Sequence, residues 1–299
     1  AQGFLTEAFN SGETKDMALA WNVQGNVYQL IFSDELNKAA AQQPLDTAKF
    51  VKNLFACIDA YEKCCENDEK QTYTEENKAK LKQYRLFVYY AGVFNLQNGK
   101  SKEAYDAFDK WMKYPEEIKA LAGDPSLQND STVNKAEVAY YACLSAYQSG
   151  EYDKVGTYMD EALKYDKEAK TVRQLHLKAL EESGDTAQWV TVSRQYGAED
   201  ETTAQNLIAY YLKKNDNAGA LSFAEELIAK NPNSTLANYA KGVVFFGQKK
   251  YEEALPFFVK ALEIDPEYTD AYYNAGVCCC NVGSGINDKI STMKFKTQA

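Results

Sequence analysis

One histidine, seven cysteines and 43 carboxylates make up most of the reactive chemistry that this 299-residue sequence offers. His176 would be the one candidate base for a Ser/His/Asp or Cys/His nucleophile system, and no Gly-x-Ser-x-Gly elbow accompanies it. It falls in a helical pattern at a position that ordinarily makes core contacts, and reads as structural. Among the cysteines there is no Cys-x-x-Cys. Cys57 and Cys64 are seven apart on one predicted helix, roughly 10 Å along its axis and too far to bridge. Cys278, Cys279 and Cys280 spread around a helix and cannot converge on a tetrahedral ion without other ligands. The bland account fits better: Cys57, Cys64 and Cys143 sit where small residues are needed, and a free thiol behaves as a small hydrophobe. The odd count argues against a complete disulfide framework but not against an oxidising compartment. Gly283-Ser284-Gly285 lacks the third glycine of a dinucleotide loop, and no Gly-Lys-Ser/Thr phosphate loop occurs. The carboxylates read as solvated helix faces. The expectation is no catalytic residue, no metal, no cofactor and no enzyme activity.

The elements that would carry a binding surface are more legible. With 45% apolar and 25% charged residues the chain folds, and 16 Gly with 6 Pro are too few for the turns of an all-β sandwich or barrel. Helices must dominate. Mean hydropathy is −0.52 and no run of 18 apolar residues exists, so no membrane-spanning helix is expected and the chain reads as soluble. A net charge of −10 disfavours nucleic acid and anionic membrane surfaces.

A period of 34 then appears. Pro232 and Pro266, Ala220 and Ala254, Gly242 and Gly276, and Tyr239 and Tyr273 share that offset. Residues 201–234 and 235–268 each read as two helical patterns closed by Asn231-Pro232 or Asp265-Pro266. Within 235–268, Gly242, Ala254 and Ala261 are small where two helices would cross, while Phe245, Tyr251 and Phe258 fill the volume around them. Pro256 is expected in or near the first turn of the second helix, where it is tolerated.

These residues, with Pro266, resemble the tetratricopeptide repeat. Tyr272, Ala275, Gly276 and Gly283 repeat part of the pattern, with Cys279 where an aromatic is usual. Tyr211, Ala220 and Pro232 repeat it more weakly. Upstream, Cys143, Gly150, Tyr152 and Ala162 fit over 136–169, and Gly92, Gly99, Ala104, Phe108 and Trp111 over 85–118. The expected fold is an all-α, right-handed α-α superhelix, a single solenoid over 1–299. It comprises a fragment of a preceding helix at 1–16, whose Ala1, Leu5 and Ala8 match second-helix spacing, and an elongated hairpin at 18–71, stretched around Pro44. The 85–118 repeat carries a loop-like insertion at 119–135. The 136–169 repeat, a degenerate hairpin at 170–200, the repeats 201–234 and 235–268, and an incomplete repeat at 269–299 follow. Both ends read as severed, which would hide any export signal or lipid anchor.

The resemblance also implies a site. The first helices of such repeats line a concave wall. By that correspondence Tyr89, Tyr90, Tyr140, Tyr141, Tyr147, Gln205, Asn206, Tyr239, Tyr273 and Asn274 face it. Tyrosine offers rigid apolar area with a hydroxyl, and amides pair with a ligand's backbone. The Lys/Arg/Asn set with which some members clamp a terminal carboxylate is missing, since Asn206 and Asn274 have no Lys at the right offsets. The implied function is a non-enzymatic scaffold holding a protein or extended peptide; the alternatives are a self-associating structural protein or the regulatory part of a larger enzyme. The layout resembles exported tetratricopeptide proteins of Gram-negative anaerobes, so a bacterial, periplasmic or otherwise exported location is expected, with the cytoplasm as the alternative.

Overall fold

A computed structural model describes residues 18–128 and 132–296. Among the described residues every regular element is helical. The 1–16 fragment lies outside them. The contacts divide the chain into two compact units, 1–184 and 185–299, where the repeat pattern predicts one array. The division falls at Gly184-Asp185, inside the 170–200 hairpin, so that hairpin's two helices belong to different units.

In the first unit, α1 (Ala18–Ala40) packs along α2 (Thr47–Asn67), and α3 (Thr74–Gln97) along α4 (Ser101–Glu117). The extra length of the first hairpin is helix rather than loop, because only residues 41–46 join α1 to α2. Asp46 caps α2 by accepting from the Lys49 N–H at 3.0 Å. The segment after α4 is not the loop its polar composition predicts. It forms a 3₁₀ turn at Lys119–Leu121 and a short helix, α5 (Pro125–Gln128), with Ile118, Leu121 and Leu127 buried. Arg85 of α3 holds it, donating to the Leu127 carbonyl at 2.7 Å with its guanidinium 3.9 Å from the Trp111 ring centre. Three apolar side chains and one buried arginine outweigh a run of turn residues.

Next comes α6 (Lys135–Gln148), capped by Asn134. Its partner is broken into α7 (Tyr152–Val155), a 3₁₀ turn at Gly156–Tyr158 and α8 (Met159–Ala162), the break beginning at Gly156, a residue of low helix propensity. The unit closes with α9 (Ala169–Ser183), which packs on α6, α7 and α8.

The second unit runs α10 (Thr186–Gly197), α11 (Glu201–Lys213), α12 (Asn217–Lys230), α13 (Thr235–Gly247), α14 (Tyr251–Ile264) and α15 (Thr269–Lys296), each packed on the next. Asp185, Asp200, Asp216 and Ser234 cap α10 to α13 with their side chains. Pro256 is the sixth residue of α14, a turn deeper than expected, on its exposed face where water can serve the carbonyl that lost its N–H partner. The helix of α15 continues through Ser284-Gly285, where the sequence pattern predicts its end.

One device joins the hairpins. A Cβ placed on Gly25 would lie 2.5 Å from the Tyr61 ring, on Gly92 2.5 Å from Phe108, and on Gly242 2.6 Å from Phe258. A glycine on the first helix thus receives the ring of a fully buried aromatic from the second. The small residue is there for the ring.

Candidate functional site

The helices of the first unit bring aromatic side chains into a continuous row. On α3, Tyr89 lies 5.7 Å from Tyr90, ring centre to ring centre, and Tyr90 stacks on Phe94 at 6.2 Å. The buried Phe108 of α4 joins two helices, since Tyr89 is 6.3 Å from it and Tyr141 of α6 stacks on it at 5.8 Å. Tyr141 continues to Tyr140 at 5.3 Å, and Tyr140 to Tyr165, in the turn before α9, at 5.9 Å. Tyr89, Tyr140, Tyr141 and Tyr165 are half-buried, and Tyr90 is exposed. They pack at one edge and face solvent at the other.

Helical periodicity places a carboxylate in this row. Glu137, Tyr140, Tyr141 and Leu144 follow the i, i+3, i+4, i+7 spacing of one face of α6. Burial, then the Glu137 carboxylate, push the Tyr141 phenol up to about 12. Burial followed by Glu137 also raises Tyr89, and burial followed by Glu168 raises Tyr140. Among the described residues no Lys or Arg forms an ion pair with Glu137 or Glu168.

Of the groove residues that the sequence nominates, Tyr89, Tyr90, Tyr140 and Tyr141 come together here. Tyr147, at the far end of α6, pairs with Tyr152 at 5.6 Å instead. In the second unit the nominated residues are spread over three helices. Gln205 and Asn206 are exposed on α11. Tyr239 is half-buried against Phe258 at 5.7 Å and Tyr268 at 5.0 Å, and its hydroxyl accepts from the Asn274 amide at 3.1 Å. Tyr273, 72% exposed, stands on α15.

Sequence reasoning missed Glu137, Tyr165 and Glu168, and also a polar row at the start of the first unit. There the Tyr61 hydroxyl lies 2.7 Å from both the Asn26 and Gln29 side-chain oxygens, and Asn77 donates to Asn22 at 3.0 Å. Lys80 adds contacts to Asn26 at 3.3 Å and Glu76 at 2.8 Å, over the Tyr61 ring. The signal in the sequence is the i, i+4, i+7 spacing of Asn22, Asn26 and Gln29, a polar stripe that an apolar periodicity does not register.

The other reactive groups stay apart. Cys57, Cys64, Cys143 and Cys278 are buried free thiols, Cys65 is half-buried, and Cys279 and Cys280 are exposed. Cys57 donates to the Gly25 carbonyl at 3.2 Å, and burial pushes its thiol up to about 12. His176 on α9 is half-buried, with its pKa lowered by that burial. Among the described residues no three His, Cys, Asp or Glu side chains gather as a metal ion requires, and no helix is long and apolar enough to cross a membrane.

The tetratricopeptide repeat family matches residues 236–268. Over 260 residues the chain is 24% identical to a mouse aspartyl/asparaginyl beta-hydroxylase, a stretch that is 85% of this chain and 32% of the mouse protein. The chain therefore spans about a third of that relative's length. Among solved structures, the C-terminal part of a TPR repeat-containing protein from Cytophaga hutchinsonii is 16% identical with a TM-score of 0.38, the match covering 66% of this chain and 72% of that one. A tetratricopeptide repeat protein from Parabacteroides merdae is 12% identical with a TM-score of 0.31, covering 84% and 98%. The block 235–268, with Phe258 set against Gly242 and Pro266 just beyond its second helix, is a tetratricopeptide repeat, and the chain around it is an all-α fold of helical hairpins.

Proposed function

We propose that this chain is a non-enzymatic scaffold that holds an extended segment of a partner protein, with the tyrosine row of the first unit as its principal contact surface. Stacked helical hairpins present extended binding surfaces, and tetratricopeptide arrays serve as protein–protein interaction scaffolds. The observation that carries the reading is the run Tyr90, Tyr89, Tyr141, Tyr140 on α3 and α6, its two pairs joined through the buried Phe108 ring and its tyrosines half-open to water. Partly exposed aromatic patches mark interaction sites, and tyrosine is favoured in them because two torsions fix a large amphipathic area. A random decapeptide display library panned against the full chain supplies probes. Enriched peptides are expected to lose about 2 kcal/mol of binding, roughly thirtyfold, on Tyr90→Ala or Tyr140→Ala, and to be indifferent to Lys260→Ala. Failure of any peptide to enrich, or equal binding by the tyrosine variants, overturns the reading.

The hydroxylase likeness favours a second reading, in which the repeats position substrates for a larger enzyme. Adding a separately expressed hydroxylase domain and a peptide from the display tests this: hydroxylation accelerated by the chain supports it. The expected exported location rests on the sequence resemblance and is tested by fractionating the native host.

A further inference from the structure

Elsewhere in this molecule aromatic rings are repeatedly covered by the chain's own cations. Lys63 lies 4.7 Å from the Trp21 ring centre, Lys80 4.8 Å from Tyr61, Arg85 3.9 Å from Trp111, Lys154 4.8 Å from Tyr105 and Lys241 4.9 Å from Phe257. The tyrosine row differs. Among the described residues no Lys or Arg sits over Tyr89, Tyr90, Tyr140, Tyr141 or Tyr165, although Glu137 stands within the row. We infer, on the reading that this face holds an extended chain, that the row takes one basic side chain of that chain, Lys or Arg, with its cation beside Glu137 and its stem against the rings of Tyr89 and Tyr141.

The chemistry selects that class against its rivals. The ring faces carry negative quadrupole potential and attract a cation. The half-buried Glu137 carboxylate adds full charge on the same helix face as Tyr140 and Tyr141, and the negative charge of Glu168 also acts on Tyr140. An acidic side chain would meet that charge and the chain's net −10. An apolar one would cover Glu137 and take water from a carboxylate that has no ion-pair partner among the described residues, an unfavourable transfer. A Lys or Arg replaces that water with an opposite charge while its aliphatic stem covers ring surface. The effects on the phenols agree, since Tyr89 and Tyr140 are raised by burial and by neighbouring groups of negative charge, with no cation opposing.

The test uses the full chain and four fluorescein-labelled decapeptide pools with random flanks and a fixed central Lys, Arg, norleucine or Glu, read by fluorescence anisotropy. The Lys and Arg pools are expected to bind at least about fivefold tighter than the norleucine pool, the sum of a partly exposed cation–π contact and a partly exposed ion pair. Glu137→Gln is expected to remove most of that preference, weakening the Lys and Arg pools and tightening the norleucine pool by the relieved desolvation of the carboxylate. Glu181→Gln, the same charge change on the exposed face of α9, is expected to keep the preference. Equal binding of the Lys and norleucine pools, or equal effects of Glu137→Gln and Glu181→Gln, overturns the inference and leaves the scaffold reading standing. Unchanged binding of every pool by Tyr90→Ala and Tyr140→Ala, or no binding by any pool, overturns the scaffold reading and the inference with it.

Discussion

Glu35 of α1 shows how one residue ties pH to stability. Its side chain is 1% exposed and accepts from Lys38 at 2.9 Å, Lys49 at 2.7 Å and the Asp46 N–H at 3.1 Å, pinning the α1–α2 turn. Hydrogen bonds from Lys38, then Lys49, hold its pKa at about 2 against an ordinary 4.5. A carboxyl with a depressed folded pKa gives stability that is present above the unfolded value and lost as pH falls through the folded one. Thermal melts are therefore expected to show Tm falling between pH 4.5 and 2, with a shallower fall in Glu35→Gln. Parallel curves would show that Glu35 does not supply the acid sensitivity. The thiols carry the opposite sign. Burial raises Cys57 and Cys143 to about 12, so at pH 8 both are protonated and shielded. Native labelling is expected to reach Cys279 and Cys280 first and the buried thiols only after denaturation.

At the scale of the element, the glycine-and-ring crossing and the hairpin turn make separate demands. Gly92→Ala gains helix propensity but drives a methyl into the buried Phe108 ring, and overpacking of that kind costs about 1–3 kcal/mol. Denaturant melts are expected to show destabilisation by Gly92→Ala and Gly242→Ala, and none by Gly247→Ala, where nothing lies within 4 Å. The turns behave differently. Gly99 and Gly150 take φ of 70° and 76° between paired helices, whereas Asn215 and Lys249 take 57° and 61° in the second unit. A lysine there carries a Cβ that the left-handed region penalises. Lys249→Gly is expected to stabilise by about 0.5 kcal/mol, the relieved strain partly offset by the freer unfolded chain.

The same two kinds of feature explain what was legible beforehand. Gly242, Ala254 and Phe258 spoke through type and spacing alone, because a helix crossing needs small beside large at fixed offsets. Tyr89, Tyr90, Tyr140 and Tyr141 were readable as a set because they recur at one register of successive first helices. Glu137 and Tyr165 were not, since a carboxylate among 43 gives no signal until α6 places it between tyrosines. The insertion misled because composition weighs its Gly, Pro and Asn equally with Ile118, Leu121 and Leu127, while packing counts only the apolar three.

At the scale of the whole molecule, a 34-residue period implies one array, yet the contacts close into two units. The reason lies in 170–200. Val172, Leu175 and Ala179 of α9 are buried in the first unit's core, and Trp189 and Val190 of α10 pack against that of the second. Between them residues 181–188 are all exposed, and Gly184 takes a left-handed φ of 76°. A repeat whose helices serve different cores cannot keep the pattern that closes a hairpin, which is why this block alone reads as degenerate. Exposed turns without buried side chains are where proteases cut folded chains. Brief digestion with a glutamate-specific protease is expected to cleave first after Glu181 or Glu182, leaving two fragments that resist further cutting and keep helical circular dichroism with no sheet signal. A ladder of early cuts within α3 or α6, or a sheet spectrum in either fragment, would show that the chain does not divide at Gly184 into two separately cored helical units.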